Sequence, residues 1–450
     1  MARRSIRFTT AISLVVANMV GTGVFTSLGF QLLDIREAFA ILLLWGVGGL
    51  MAFMGAMCYA ELATRMPEDG GEYHFLRNTY HPAIGFMAGM VSATVGFSAP
   101  IALAAASLGT YAHGVFPMLN GTLTGSVVIL AIAGIHMANM HAGTRFQRVF
   151  TLIKVLIILV FVSLGFTMGN ITGVSFAPNN MAMTEVLSAA FAVNLVYVSY
   201  AYSGWNASAY LAGEIYNPQR NLNRSILYGT GLVTLMYVAL NTVFILSAPM
   251  TEMMVATEGP DAFQPREVGL ISAVHVLGDA GGRLMGGAIC VLLLSTISAM
   301  VLAGPRVVQP MFERIPAMQG LARSDAQDNP VRAIMFQAVL ALLIVWTASF
   351  ESILLYTGFC LSIFTMLTVA ATIVQRMRHG PPAGYKAWGY PVTPVLFIIA
   401  DLYIAYHLLS KHPTESLLGL VTAMLGGLLY FVSSDRRPKK GAGSIEHTTA

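Results

Sequence analysis

The sequence predicts an all-α membrane protein whose chain crosses the bilayer about twelve times. Of its 450 residues, 56% are apolar and only 10% are charged, whereas soluble domains carry roughly 25% charged residues. A soluble fold of this length would have too few charges to cover its surface. The apolar residues come in long stretches that do not alternate with polar ones, so they predict helices rather than the short strands of a membrane barrel.

Each predicted span holds about 20 mostly apolar residues, the length that a helix needs to cross the hydrocarbon core. The spans have the approximate ranges 11–32, 37–60, 83–112, 122–140, 148–169, 183–212, 225–248, 282–304, 331–349, 351–374, 391–410 and 415–433. Because many apolar segments follow the first one, we interpret it as a retained span and not as a cleaved signal peptide.

The distribution of Lys and Arg predicts that both termini are cytoplasmic, since cytoplasmic loops carry an excess of these residues. In this orientation all but five of the 25 Lys and Arg residues lie on the cytoplasmic side. Residues 1–8 then form a cytoplasmic N-terminus and residues 434–450 a cytoplasmic tail. The exceptions are Arg36, Arg266, Arg283 and Lys411 on the outer side and Lys154 inside the fifth span.

The first predicted span contains a Gly-Thr-Gly triplet that interrupts it at residues 20–24. A break in a membrane helix is tolerated only where it is buried or lines a cavity. The N–H groups that start the second half-helix, with the positive end of its dipole, favour a carboxylate ligand. The carbonyls that end the first half-helix favour a cation. The alternative is that the glycines only allow close helix packing.

The sixth predicted span has a second interruption, at residues 200–206, where Gly204 lies among polar and aromatic residues. Interrupted helices at matching positions in two halves of a transporter are a good sequence indicator of its binding site. The sequence therefore predicts two inverted repeats of five helices, residues 9–169 and 183–376, with a site between the two breaks. The two helices of residues 390–433 are expected to lie outside this core.

Four motifs in the chain are typical of one family. They are GTGVF at 21–25, YAELATRMPEDGGEYHFL at 59–76, AYSGWNASAYLAGEIYNPQRNLNRSI at 201–226 and YPVTPVLF at 390–397. They resemble the motifs of the amino acid–polyamine–organocation (APC) superfamily, and most of all those of a prokaryotic member of its L-type amino acid transporter (LAT) branch. Three positions depart from the family pattern. Gly213 stands where a second acidic residue is usual, Asn223 where Pro is usual, and Tyr200 where Phe or Trp is common.

The resemblance implies a LeuT-type fold that works by alternating access and binds an amino acid between the two breaks. The N–H groups of Gly21, Thr22 and Gly23 would hold the substrate carboxylate. Carbonyls near Val20, Tyr200 and Ser203 would hold its amino group. Tyr200 would also close over the substrate from outside. The remaining implied residues, which would border the pocket or brace the turn, are Gly204, Trp205 and Asn206.

Lys154 lies inside the fifth span, where a charged side chain normally faces a cavity or a partner. The resemblance implies that its ammonium takes the place where sodium-coupled relatives bind Na⁺, against carbonyls of the first break, with Tyr237 as a neighbour. We therefore expect sodium-independent transport by exchange, that is, an antiporter. The alternative is that Lys154 snorkels to the cytoplasmic interface.

The expected substrate is a small neutral L-amino acid, because no acidic side chain stands beside either break in the sequence. The alternative within the same fold is a proton-coupled symporter, for which Asp401 and Glu185 are the candidate acids. Asp401 is otherwise expected to pair within a helix contact. Near the end of the second span, Glu61 and Arg65 are one turn apart and are expected to pair.

Other functional classes have little support. The chain lacks an HExxH, a Gly-x-Ser-x-Gly and paired intramembrane aspartates, so an intramembrane enzyme is a remote alternative, as is a channel. We expect no cofactor, no metal and no nucleic-acid partner. Animal members of the branch join a heavy subunit through a cysteine between spans three and four, and residues 113–121 contain none, so we expect no disulfide-linked subunit. The expected location is the plasma membrane, as a multi-pass bacterial inner-membrane protein.

Overall fold

The structure, a computed structural model, describes residues 6–138, 140–253, 268–315, 318–325, 329–347 and 350–434. Within these ranges the chain is almost entirely helical, and its only extended pairing is one isolated bridge between Ile6 and Ile215. The all-α prediction is thus confirmed. Most of the predicted cytoplasmic ends, residues 1–5 and 435–450, lie outside the described residues.

The helices run in chain order from α1 to α19, with one π-helix at Ser92–Ser98 that joins α5 to α6. Their bounds are α1 Phe8–Met19, α2 Gly23–Gln31, α3 Ala38–Arg65, α4 Glu72–Thr79, α5 Pro82–Val91, α6 Ala99–Val115, α7 Gly121–Ala138, α8 Met140–Met168, α9 Asn180–Val186, α10 Ala189–Tyr202, α11 Ala207–Tyr210, α12 Pro218–Ser247, α13 Met250–Met253, α14 Val268–Ala303, α15 Pro305–Glu313, α16 Val331–Thr347, α17 Phe350–His379, α18 Val392–Lys411 and α19 Pro413–Ser434.

Ten helical stretches of the described chain are long and apolar enough to cross a membrane. The pair α9 and α10, bent by 67°, would make an eleventh span, and α16 is apolar but has only 17 residues. Each predicted span coincides with helix, so a multi-span helical membrane protein is confirmed. The count of twelve and the sidedness of the termini stay predictions.

The interrupted helices lie at the centre of the bundle. Helix α1 packs against α8, α12 and α14, and α10 packs against α2 and α3. The surrounding helices expose long apolar side chains, as expected of a surface that faces lipid. Examples are Leu123, Val127 and Leu130 on α7 and Leu418, Val421 and Leu425 on α19.

Two predicted boundaries differ from the structure. The span predicted at 183–212 is divided into α9, α10 and α11, because Ser188 caps α10 through its side chain and starts a new helix direction. The span predicted to begin at 282 is longer, since α14 begins at Val268 and is kinked at Gly278, whose φ is 71°.

Candidate functional site

The first break separates α1 from α2. Helix α1 ends at Met19, and Val20 is extended, with φ −77° and ψ 93°. Helix α2 begins at Gly23. The Val20 carbonyl therefore leaves the helical ladder, and the first N–H groups of α2 have no carbonyl one turn earlier within their helix. The break presents acceptors on one side and donors on the other.

The second break separates α10 from α11. Helix α10 ends at Tyr202, Ser203 has φ −57° and ψ 152°, and α11 begins at Ala207. Gly204 has a φ of 99°, a left-handed conformation that glycine adopts without steric cost. This glycine allows the chain to leave one helix and enter the next inside the bundle.

The two breaks touch each other. A Cβ atom built on Gly23 would lie 2.8 Å from the Cα of Ala201, and one built on Gly204 would lie 2.8 Å from the carbonyl carbon of Asn18. Real side chains do not make contacts this short. Glycine at both positions is thus what lets the two interrupted spans meet backbone to backbone.

Lys154, on α8, is fully buried and its ammonium lies against the first break. Nζ donates to the carbonyl of Val20, to the carbonyl of Ala17 at 3.2 Å and to Oγ1 of Thr296 on α14 at 2.9 Å. Thr296 also donates to the Val20 carbonyl, at 2.8 Å. Lys154 therefore does not snorkel to the interface, and it joins α8 to the carbonyl end of α1.

The hydroxyl of Tyr237, on α12, contacts both breaks. Its oxygen is 2.6 Å from the carbonyl of Met19 and 3.0 Å from that of Ala201. The hydroxyl hydrogen can be donated to either carbonyl, and the ring is fully buried. Lys154 thus holds the first break from α8, and Tyr237 joins both breaks from α12.

A cavity opens beside the second break. Of the predicted site residues, those of the second break line it, whereas the predicted residues of the first break, Val20–Gly23, are not among its lining residues. From the first span, Asn18 lines the cavity. The residues of α10, α11 and the turn between them that line the cavity are Val196, Ser199, Tyr200, Tyr202, Ser203, Gly204, Trp205, Asn206, Ala207 and Tyr210.

The side chain of Asn206 braces the second break rather than pointing free into the cavity. Its amide donates to Oε1 of Glu72 at 2.8 Å and to the hydroxyl of Tyr210 at 2.9 Å. Glu72 also accepts from the hydroxyls of Tyr59 and Tyr210, both at 2.7 Å. Trp205 packs edge-on against Tyr59, with centroids 4.7 Å apart. Sequence reasoning missed the role of Glu72, although the residue lies in a quoted motif.

One face of α18 also lines the cavity, through Phe397, Asp401, Ile404 and Leu408. The helices of 390–433 were expected only to lie outside the repeat core, and the place of α18 in the cavity wall was not predicted from the sequence. Through Asp401, this helix gives the cavity an acidic side chain. The four positions share one helical face. Their spacing was visible in the sequence, but nothing in the sequence said which neighbour that face would meet.

Comparison with known proteins identifies the family of this chain. The family profile described as amino acid permease matches residues 6–428. The chain is 25% identical to the serine/threonine exchanger SteT of Bacillus subtilis (strain 168), over 97% of this chain and 98% of that protein. It is 24% identical to the human large neutral amino acids transporter small subunit 2, over 99% and 84% of the two chains. It is also 24% identical to the human b(0,+)-type amino acid transporter 1, over 94% and 86%. Since the profile covers nearly the whole chain, this protein belongs to the amino acid permease family.

Proposed function

We propose that this permease exchanges small neutral L-amino acids across the plasma membrane without sodium. The observation that carries the proposal is the contact of the Lys154 ammonium with the Val20 carbonyl and the Thr296 hydroxyl. A cation held there by a covalent tether supplies the positive charge that the exposed carbonyl end of α1 favours. No dissociable metal ion is then needed to join the first break to α14.

The two breaks supply complementary groups for the charged ends of an amino acid. The N–H groups at the start of α2, from Gly21 to Gly23, are donors for the carboxylate. Carbonyls near Tyr200 and Ser203 are acceptors for the ammonium group, whereas the Val20 carbonyl already accepts from Lys154 and Thr296. Because both sets belong to the backbone, they would bind the part that all amino acids share and leave the side chain to the cavity.

The walls of the cavity favour an uncharged side chain. Among its described lining residues there is no Lys or Arg, and Asp401 is the one carboxylate. Most of the other lining groups are apolar, aromatic or hydroxyl-bearing. Burying an anionic side chain beside Asp401 would be costly, whereas a small neutral side chain needs no counter-charge.

Alternating access requires contacts that can open at either end of the broken spans. On the predicted cytoplasmic side, the N–H of Ile6 donates to the Glu214 carbonyl at 3.0 Å, and the Glu214 carboxylate pairs with Arg306 at 3.0 Å. On the predicted outer side, the rings of Phe30 and Tyr197 stack with centroids 5.1 Å apart. We expect each half-cycle to break one of these sets.

Exchange is also the activity named for one relative, since SteT is a serine/threonine exchanger. One human relative is named a small subunit. We propose that this chain, in contrast, works without a disulfide-linked partner. Its three cysteines, Cys58, Cys290 and Cys360, all lie within helices. None falls in the connection between α6 and α7, where the animal members of the branch form that bond.

A proton-coupled symporter is the competing function, and the structure narrows its candidate acids. The carboxylate of Glu185 accepts the N–H groups of Arg36 and Glu37, each at 3.0 Å, next to the start of α3. Glu185 is therefore engaged away from the cavity. Of the two candidate acids, Asp401 is the one that lines the cavity.

The test is uptake of radiolabelled L-serine into proteoliposomes that contain the purified chain. We expect uptake to require L-serine inside the vesicles and to be equal in sodium and in choline. Loss of uptake in choline would contradict sodium independence. Uphill uptake into vesicles without internal amino acid, driven by an inward proton gradient, would favour the symporter.

A further inference from the structure

Asp401 is a buried carboxyl group with one unused oxygen in the wall of the substrate cavity. The residue is 5% exposed and lies in the middle of α18. Its Oδ1 accepts the hydroxyl of Ser362 on α17. Its Oδ2 is buried and has no hydrogen-bond partner among the described residues. A buried polar atom without a partner is costly, so its presence calls for a ligand or a function.

The same cavity connects this group to the second break. Ser203 and Gly204 of the second break line it, and so do Ser362, Thr365 and Asp401 of α17 and α18. A ligand whose charged ends are held at the breaks can therefore extend its side chain toward α17 and α18. The polar groups at that end of the cavity are a carboxyl and two hydroxyls.

We propose that Asp401, held by Ser362, is the specificity residue of this site and binds the side-chain hydroxyl of the substrate. The proposal rests on the function proposed above and narrows it to small hydroxyl-bearing amino acids. Serine and threonine are the amino acids of that size and chemistry.

A hydroxyl fits this group better than the other side-chain classes. It both donates and accepts, so it can bond Oδ2 whether the carboxyl is ionised or protonated. An aliphatic side chain would leave Oδ2 unpaired in the complex, and a site with unpaired buried polar groups rejects such a ligand. A cationic side chain would bond only the ionised form, and the hydroxyl of Ser362 already satisfies the other oxygen without any added charge.

The test compares L-threonine with L-valine, which replaces the hydroxyl by a methyl group at nearly constant shape. Both are used as competitors against exchange of radiolabelled L-serine in proteoliposomes. We expect the wild-type chain to prefer threonine by about tenfold or more, and Asp401→Leu to bring that ratio close to one. The matched control is Thr357→Val, an isosteric change at a buried hydroxyl of α17 that is not among the cavity-lining residues. The control should keep the wild-type ratio.

Two further variants keep the test decisive. Asp401→Asn retains an acceptor and a donor and should keep most of the threonine preference, and Ser362→Ala should reduce it if Asp401→Leu does not fold. A wild-type chain that takes valine as well as threonine, or lysine better than either, would overturn this inference and leave amino acid exchange intact. A wild-type chain that exchanges no amino acid at all would overturn the proposed function itself.

Discussion

Gly204 packs directly against the backbone of Asn18, with no room between them for a methyl group. This contact joins the second interrupted span to the first, just before α1 ends. The φ of 99° at Gly204 is a conformation that other residues adopt only with strain. Two independent constraints, space and backbone conformation, thus require glycine at this position.

We expect Gly204→Ala to abolish transport, because a methyl group has to push the two breaks apart. Exchange of L-serine in proteoliposomes should fall by more than about tenfold, and the midpoint of thermal unfolding in detergent should also fall. The control is Gly134→Ala on α7, where an added Cβ meets nothing within 4 Å. A Gly204→Ala protein with wild-type exchange would show that the breaks need not touch.

Lys154→Ala should remove transport while leaving a folded protein. The change deletes the cation that bonds the Val20 carbonyl and Thr296, and we expect exchange to fall by about a hundredfold. Addition of sodium should not restore it, because Ala brings no ligand for a metal. Lys411→Ala, at the exposed end of α18, is the matched control. Normal exchange by Lys154→Ala would contradict the assigned role.

Tyr237→Phe should slow exchange without loss of the fold, since the ring stays and only the hydroxyl is lost. That hydroxyl is within hydrogen-bond distance of carbonyls at both breaks. We expect a decrease of about tenfold, in the range of one buried hydrogen bond. Tyr228→Phe on the exposed face of the same helix is the control. Equal effects of the two substitutions would contradict a specific role for Tyr237.

The thermal stability should fall as the pH rises from 3.8 to about 7 because of Asp69. Burial, and then the nearby charge of Glu214, raise the pKa of Asp69 to about 7 from 3.8. Between these two values the folded chain holds a proton that the unfolded chain has released, so the free energy of unfolding decreases with rising pH. Asp69→Asn should unfold at a higher temperature than the wild type at pH 8, and the difference should be smaller at pH 5, where the folded wild type still holds its proton.

The measurement is a thermal melt in detergent at pH 5–8, with the exposed Asp279→Asn as control. The same pH slope in wild type and Asp69→Asn would contradict the prediction.

The contact with Asp69 also accounts for the glycine at position 213, where the family usually has an acidic residue. Its N–H donates to Asp69 at 2.8 Å, and an added Cβ would lie 3.0 Å from both carboxylate oxygens.

The sequence predicts those features that depend on a local anomaly. Paired glycines at Gly21 and Gly23 weaken a membrane helix wherever it packs, and a lysine at 154 in an apolar run has to find acceptors. Gly204 in the middle of a span is an anomaly of the same kind. Each of these residues lies at or against a helix break in the structure. Glycine weakens a helix, and a buried lysine needs acceptors, whichever helix is the neighbour.

Features that depend on partners far away in the chain cannot be predicted from the sequence. Glu61 was expected to pair with Arg65 one turn away, but its carboxylate accepts the guanidinium of Arg376 and the N–H of Ala387. Arg65 donates instead to the carbonyl of Gly380, at 3.1 Å. The position of Asp401 in the cavity wall could not be predicted either, because it depends on which helices α18 packs against.

The tethered ammonium of Lys154 has an energetic consequence. A charge that is part of the chain returns with it at the end of every cycle, so it carries no free energy from one compartment to the other. Accumulation of one solute must then be driven by the downhill escape of another. Such a protein fixes the ratios among the amino acids on the two sides of the membrane, while their total amounts are left to other systems.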